Sequence, residues 1–297
     1  MKGLEPSAID KRCVRASFEQ AAPDYDRVAV LQREVGGRVL ERVGVMRMQP
    51  EQILDVGAGT GYVTRLLRKT YRGARVIGVD IAHGMLLQAR RQSGWWRRPR
   101  FVCGDIECLP LKDQSVDLLV SNLTLQWCNE LDAAFTEFRR VLRPGGALFF
   151  STFGPDTLRE LRASWQAADG YSHVNTFLDM HDVGDALLRA GLAEPVLDVE
   201  RFTLTYADVR GLMSDLKALG AHNVTAGRAR GLMGRGRWRA MLDAYETFRQ
   251  DGQLPATYEV VYGHAWAPLP REPVAKPAVH IPLSALAGRR GGPAVTP

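Results

Sequence analysis

Ile53-Leu54-Asp55-Val56-Gly57-Ala58-Gly59-Thr60-Gly61 decides how this chain is read. Its first four residues suit a short buried strand, with Asp55 the polar exception. Glycines follow at alternate positions, and a helical pattern from Tyr62 to Lys69 begins at once. Strand, glycine turn and helix open a nucleotide-binding βαβ unit. Glycines serve there because a ligand approaches the backbone without meeting a Cβ. A dinucleotide fingerprint reads G-x-G-x-x-G, but Tyr62 stands where its third glycine falls. The pattern is D-x-G-x-G-x-G instead. Its carboxylate, Asp55, repels a pyrophosphate and attracts a ligand with a cationic amino-acid portion. The next strand, Ala74 to Asp80, ends in an acid about 20 residues beyond the glycines, where a carboxylate holds a ribose diol. A ribose joined to a cationic amino acid describes S-adenosylmethionine.

With these motifs the chain resembles the class I S-adenosylmethionine-dependent methyltransferases. Gly104-Asp105 and Arg143-Pro144-Gly145-Gly146 add to the likeness. The resemblance implies an α/β fold: a Rossmann-like seven-stranded sheet with its last strand pair antiparallel and a helical lid insertion. It also implies roles. Asp55, Gly57, Ala58 and Gly59 border the cofactor, and Asp80 with Ile81 takes the ribose. Met85 lines the adenine pocket, though a methionine there also suits gap-filling in a core. Asp105 accepts from the adenine amine, and Ile106 packs on the ring. The segment Phe18-Glu19-Gln20-Ala21-Ala22-Pro23-Asp24-Tyr25-Asp26 resembles one that closes over the cofactor, with Tyr25 against the methionine portion. Phe18 and Tyr25 equally suit packing on the core.

The remaining elements follow from periodicity. Helices are expected over Lys11–Phe18, residues 28–47, Ile81–Arg90, Glu130–Leu142, up to about Ala168, and Met180–Ala190. Gly36-Gly37 is a weak spot in the second of these. Strands are expected at Phe101–Cys103, Ser115–Asn122, Ala147–Phe153, Val196–Tyr206 and Thr257–Trp266. Ligands of open α/β sheets sit beyond the carboxyl ends of the strands, which puts Asn122 and Leu123 at the site. The expected organisation is an N-terminal helical cap (1–45), a methyltransferase domain (46–268) with a helical insertion at about 207–253, and a disordered Pro/Gly-rich tail (269–297).

Composition bounds the function classes. The 297 residues are 45% hydrophobic and 24% charged, as in an ordinary soluble globule. No apolar run approaches the roughly 20 residues of a membrane span, and the start lacks the features of a secretory signal. A cytoplasmic protein without a membrane partner is expected. The four cysteines lack C-x-x-C spacing and read as buried, reduced thiols. No histidine motif has metal-ligand spacing, so no metal is expected. The net charge of +6 favours acidic partners without selecting one. Trp95 and Trp96, within a basic stretch, suit either nucleic acid or a loop folded back on the protein; the loop is the commoner case, and no nucleic-acid partner is expected.

Ser121 to Cys128, Asp215 to Ala221 and Leu254 to Val260 resemble the malonyl-[acyl-carrier protein] O-methyltransferase family of biotin synthesis. That resemblance implies O-methylation of the free carboxylate of a malonyl thioester, with malonyl-acyl carrier protein as the partner. Two other readings stay open: a protein-arginine-modifying assembly factor of the same fold, and a methyltransferase-like protein that only binds. Lys217 and Arg201 are candidates for the substrate carboxylate from their place beside the insertion. Arg228, Arg230, Arg235, Arg237, Trp238 and Arg239 form a basic cluster suited to an acidic carrier protein or to a solvated loop. No catalytic base is expected, and the sequence does not define an oligomeric state.

Overall fold

A computed structural model describes residues 9–94, 98–171, 173–221 and 234–270. Along the chain run α1 (Lys11–Ala21), α2 (Tyr25–Val28), α3 (Val30–Val45), β1 (Gln52–Val56), α4 (Tyr62–Thr70), β2 (Arg75–Asp80), α5 (His83–Gln92), β3 (Arg100–Cys103) and β4 (Val116–Asn122). A 3-10 turn (Leu125–Trp127), α6 (Leu131–Val141), β5 (Leu142–Phe153), α7 (Arg159–Ala168), α8 (Met180–Arg189), β6 (Ala193–Tyr206), α9 (Val209–Ala218), α10 (Arg235–Glu246) and β7 (Leu254–Trp266) complete it.

One seven-stranded sheet has the order β3-β2-β1-β4-β5-β7-β6. Strands β1 to β5 pair in parallel, and β7 pairs antiparallel with both β5 and β6. The order reverses between β1 and β4. Such a switch point opens a crevice at the carboxyl ends of the strands. Successive residues of a strand face opposite sides of the sheet. Ile53, Leu118 and Phe149 therefore join one apolar layer with Val35 and Val39 of α3 and Leu67 of α4. Leu54, Leu119 and Leu148 join the other, with Phe135 and Phe138 of α6 and Leu187 of α8.

The expected elements shift in instructive ways. Helix α1 runs three residues further than expected, and Asp10 caps it by accepting the Arg12 and Cys13 amides at 3.0 and 3.3 Å. Ala29 divides a short α2 from α3, so the helix expected over residues 28–47 runs from Val30 to Val45. Gly36 is not a weak point: a Cβ there would lie 2.9 Å from Val63 and 3.2 Å from the Asn122 amide, so its bareness lets α3 approach the sheet. Arg143 to Gly146, expected to stop α6, lie within β5. There Gly145 donates to the Ala267 carbonyl and Ala267 to that of Gly146, which gives the segment a ladder partner. Cys103 and Cys108 are exposed rather than buried. Trp95 and Trp96 lie outside the described residues, as do Arg228, Arg230 and positions 271–297. Among the described residues, no helix is long and apolar enough to cross a membrane.

Candidate active site

The loop after β1 stands on three glycines with positive φ: 73° at Gly57, 52° at Gly59 and 78° at Gly61. L-residues with side chains rarely hold that conformation. The Gly57 and Ala58 amides donate to the Val79 carbonyl at 2.8 and 3.0 Å, tying the loop to β2. The glycines differ in what surrounds them. A Cβ on Gly57 would fall 1.9 Å from Thr124 Oγ1, and one on Gly61 would fall 2.9 Å from Ala89 Cβ. Gly59 has nothing within 4 Å in that direction. Of the two glycines assigned to ligand approach, Gly59 alone leaves open space; the protein itself needs Gly57 bare.

Asp80 closes the end of β2. One carboxylate oxygen accepts the Gly59 amide and the other the Ala82 amide, both at 2.8 Å. Burial pushes its pKa up to about 6, while these backbone donors hold it down. Each oxygen keeps further lone-pair capacity for a ligand hydroxyl. Tyr25 is raised above the usual phenol range by burial and by the nearby Asp80 and Asp26 carboxylates, so it stays a neutral hydroxyl.

Helix α1 lies over the crevice and is tied at both ends. Lys11 Nζ sits 2.6 Å from Asp105 and 2.5 Å from Glu107. The Ile9 backbone exchanges two hydrogen bonds with the Asn129 side chain, at 2.7 and 3.0 Å. At the other end, Glu19 accepts the Gly84 amide of α5 at 2.6 Å. Phe18 meets the Trp127 ring edge-on at 5.4 Å. Lys11 was not anticipated; no motif pairs it with residues more than ninety positions away.

Beneath α1 lies a cavity of about 710 Å³ counting its mouth. The cavity brings together Tyr25, Gly57, Gly59, Asp80, Ile81, Met85, Asp105, Ile106, Asn122 and Leu123. Asp55 and Ala58 do not line it. They border a smaller recess behind the loop. Strand alternation turns Asp55 toward α4, where its buried carboxylate accepts the Thr64 hydroxyl at 2.5 Å. Burial raises it to about 7. Its expected approach to a cationic ligand group is thus replaced by a tie between β1 and α4. The Asn122 side chain is also committed within the protein: it donates to the Gln32 carbonyl at 3.0 Å and accepts from Ser151 at 2.9 Å. The half-buried Cys128 thiol is pushed above its usual range, first by desolvation and then by Glu107, so it stays protonated.

Arg201 lines neither this cavity nor the next one. It stands on edge strand β6, away from both cavities, and pairs with Asp156 at 3.1 Å and Glu259 at 3.7 Å. Lys217 of α9 lines a second cavity, of about 1750 Å³ counting its mouth, on the other side of α1 and α2. His173 also lines it, with Nε2 2.8 Å from Asp169 and its ring stacked 3.9 Å from Trp165. This histidine–carboxylate pair was not anticipated, because no sequence motif marks it. In the basic cluster, Arg237 approaches Asp169 at 3.5 Å and Trp238 packs against Trp165 at 6.1 Å. Those two side chains support α10 on α7 rather than stand free in solvent. Among the described residues, no group of three or more His, Cys, Asp or Glu is arranged to hold a metal ion.

Comparison with known proteins adds three findings. A methyltransferase-domain family model matches residues 54–150. A malonyl-[acyl-carrier protein] O-methyltransferase of Gallionella capsiferriformans is 55% identical over 269 residues, covering 89% of this chain and 93% of that protein. One of Laribacter hongkongensis is 55% identical over 270 residues, covering 88% and 91%. Among solved structures, a Haloferax volcanii methyltransferase complex with the Trm112 activator aligns with a TM-score of 0.55 and 22% identity, covering 87% of this chain and 99% of that one. At that identity the likeness speaks for the fold alone.

Proposed function

Because the chain belongs to the malonyl-[acyl-carrier protein] O-methyltransferase family, we propose that it methylates the free carboxylate of a malonyl group carried as a thioester on acyl carrier protein. S-adenosylmethionine is the methyl donor. One observation carries the activity: identity at more than half of the aligned positions along nearly the whole of both chains. The biotin-synthesis role implied by the sequence resemblance follows as part of this reading. The ester masks a charge, and a masked acyl group resembles an ordinary primer for chain extension.

The first cavity suits S-adenosylmethionine on grounds of its own. Open space over Gly59 admits a ligand to the backbone. Asp80 offers both oxygens to the ribose hydroxyls, Asp105 and Ile106 suit the adenine, and Tyr25 and Leu123 border the remainder. When bound, S-adenosylmethionine supplies a methyl group already activated by its sulfonium. The protein's own tasks are alignment and exclusion of water. Helix α1 does the second, since Phe18 and Trp127 close an apolar wall that Lys11 and Glu19 hold down.

The nucleophile needs no activation. A carboxylate with an unperturbed pKa near about 4 is ionised at neutral pH. Transfer forms one C–O bond, breaks one C–S bond and moves no proton. This suits a cavity that no histidine lines among the described residues, and His173 with Asp169 belongs to the other cavity. The protonated Cys128 thiol offers no competing nucleophile. The test is the intact mass of malonyl-carrier protein after incubation with enzyme and S-adenosylmethionine. A gain of about 14 Da, one methylene by atomic sums, supports the reading, and no gain refutes it.

A further inference from the structure

Helices α1 and α2 form a wall one element thick between the two cavities. Ser17 and Asp24 line the second cavity, while their chain neighbours Phe18 and Tyr25 line the first. Nothing in the methyl-transfer chemistry derived above uses the second cavity, yet it is the larger. Its lining is graded. Leu158, Leu161 and Val174 are buried and supply apolar wall. Among them stands Asn175, only 7% exposed, whose amide oxygen has no hydrogen-bond partner among the described residues. A buried side-chain amide offers acceptor and donor on its two edges, and a half-turn exchanges them. Buried polar groups in native proteins are nearly always paired, so one without a partner on a cavity wall marks a place where a ligand supplies it.

At the exposed end stand Arg27 of α2 and Lys217 of α9. The structure gives neither an ion pair nor a hydrogen bond to another described side chain. Among the described residues Asp24 is the carboxylate on the same wall, so the two cations outnumber it there. His173 has its carboxylate partner in Asp169. The cavity therefore suits an extended ligand with apolar stretches, an amide at depth and an anion at the mouth.

We propose that the second cavity holds the phosphopantetheine arm of the acyl thioester, with Asn175 meeting an amide of the arm and Arg27 and Lys217 meeting its phosphate. The arm alternates methylene segments with amides and ends in a phosphate at the carrier protein. Seated this way, the arm lies against the α1–α2 wall whose other face lines the first cavity. Lys217 thereby reads the far end of the substrate rather than the carboxylate that accepts the methyl. This inference rests on the carrier-protein reading above.

Inhibition of malonyl-carrier-protein methylation by pantetheine and by phosphopantetheine, neither bearing an acyl group, tests it in the full chain. Both compounds are expected to compete with malonyl-carrier protein and not with S-adenosylmethionine. The phosphorylated one is expected to bind about tenfold more tightly, the size of one charge-assisted hydrogen bond. The double change Arg27→Met with Lys217→Met removes that tenfold advantage. Asn175→Leu weakens both inhibitors, and Ser214→Trp, which fills the cavity from the exposed face of α9, abolishes inhibition by either. Calorimetry with S-adenosylmethionine reports whether each variant keeps its cofactor site. Active wild-type enzyme that neither compound inhibits overturns the inference and leaves the activity standing. So does an equal loss, in the double variant, on a malonyl thioester that lacks the arm, which would place those cations on the malonyl carboxylate. Wild-type enzyme that does not methylate malonyl-carrier protein at all removes the parent reading, and the inference with it.

Discussion

Lys11, in the first turn of α1, holds Asp105 at 2.6 Å across 94 positions of sequence, within the same cavity that Asp80 lines. The pair couples the covering helix to the acid expected to receive the adenine amine. An aspartate carboxylate has capacity for both partners, so the ammonium and the amine need not exclude each other. Lys11→Met is expected to loosen α1 and weaken S-adenosylmethionine by about three- to tenfold, a fraction of one charge-assisted bond. Hydrogen exchange over residues 11–21 should quicken in the same variant. Tighter binding would show instead that Lys11 competes with the ligand for Asp105.

Asp80 is expected to set the pH dependence of cofactor binding. Its pKa in the free protein is raised to about 6, chiefly by burial. The ionised form accepts the ribose hydroxyls, so a proton competes with the ligand. Affinity is therefore full above this pKa and lost below it, falling about tenfold by pH 5, one unit under the pKa. Asp80→Ala should weaken binding about ten- to a hundredfold at pH 7.5, from loss of a charge-assisted bond. The variant should also lose the dependence on pH. Calorimetry from pH 5 to pH 8 measures both.

The glycines are expected to separate into a structural and a ligand position. Gly57→Ala forces a Cβ into Thr124 and should lower the melting temperature by several degrees. Gly59→Ala meets no protein atom, so it should cost only the strain of its left-handed backbone, about 1 kcal/mol. Its main effect should be on S-adenosylmethionine affinity, and Gly59→Val should be worse. Melting curves with and without the cofactor distinguish the two positions.

The chemical step is expected to vary little with pH. With cofactor and substrate both saturating, single-turnover methyl transfer should be nearly flat from about pH 6 to pH 8, because a carboxylate is ionised throughout that range. His173→Ala and His264→Ala should leave that rate near the wild-type value, since neither histidine lines the cofactor cavity. A rise centred near pH 6.5 that disappears in His173→Ala would make the His173–Asp169 pair a catalytic base.

What the sequence disclosed was local. The glycine turn, the strands on either side and Asp80 fall within one continuous βαβ window, so their spacing alone places them. The seven-stranded sheet with its antiparallel last pair came from the family resemblance those motifs carry, and the strand order from the structure. What it concealed depends on distant parts of the chain meeting. Lys11 meets Asp105 because α1 folds over the crevice, whereas the His173–Asp169 pair, four positions apart, was hidden because it lies in an irregular loop that no periodicity marks. Asp55 is a different case. The period-2 alternation of β1 turns it away from the cavity face, but a charge at a strand end suggested a ligand and outweighed the alternation. Gly57 lines the cavity as expected, but its crowding by Thr124, which comes from the loop after β4, was not legible.

The most direct measurement follows the chemistry of the product. Enzyme is incubated with methyl-labelled S-adenosylmethionine and either malonyl- or acetyl-carrier protein, and the labelled carrier is treated with mild alkali. The account predicts label on the malonyl form alone, released as methanol, because a carboxyl methyl ester hydrolyses where an N- or C-methyl group does not. Equal label on the acetyl form, or label that resists alkali, would contradict it.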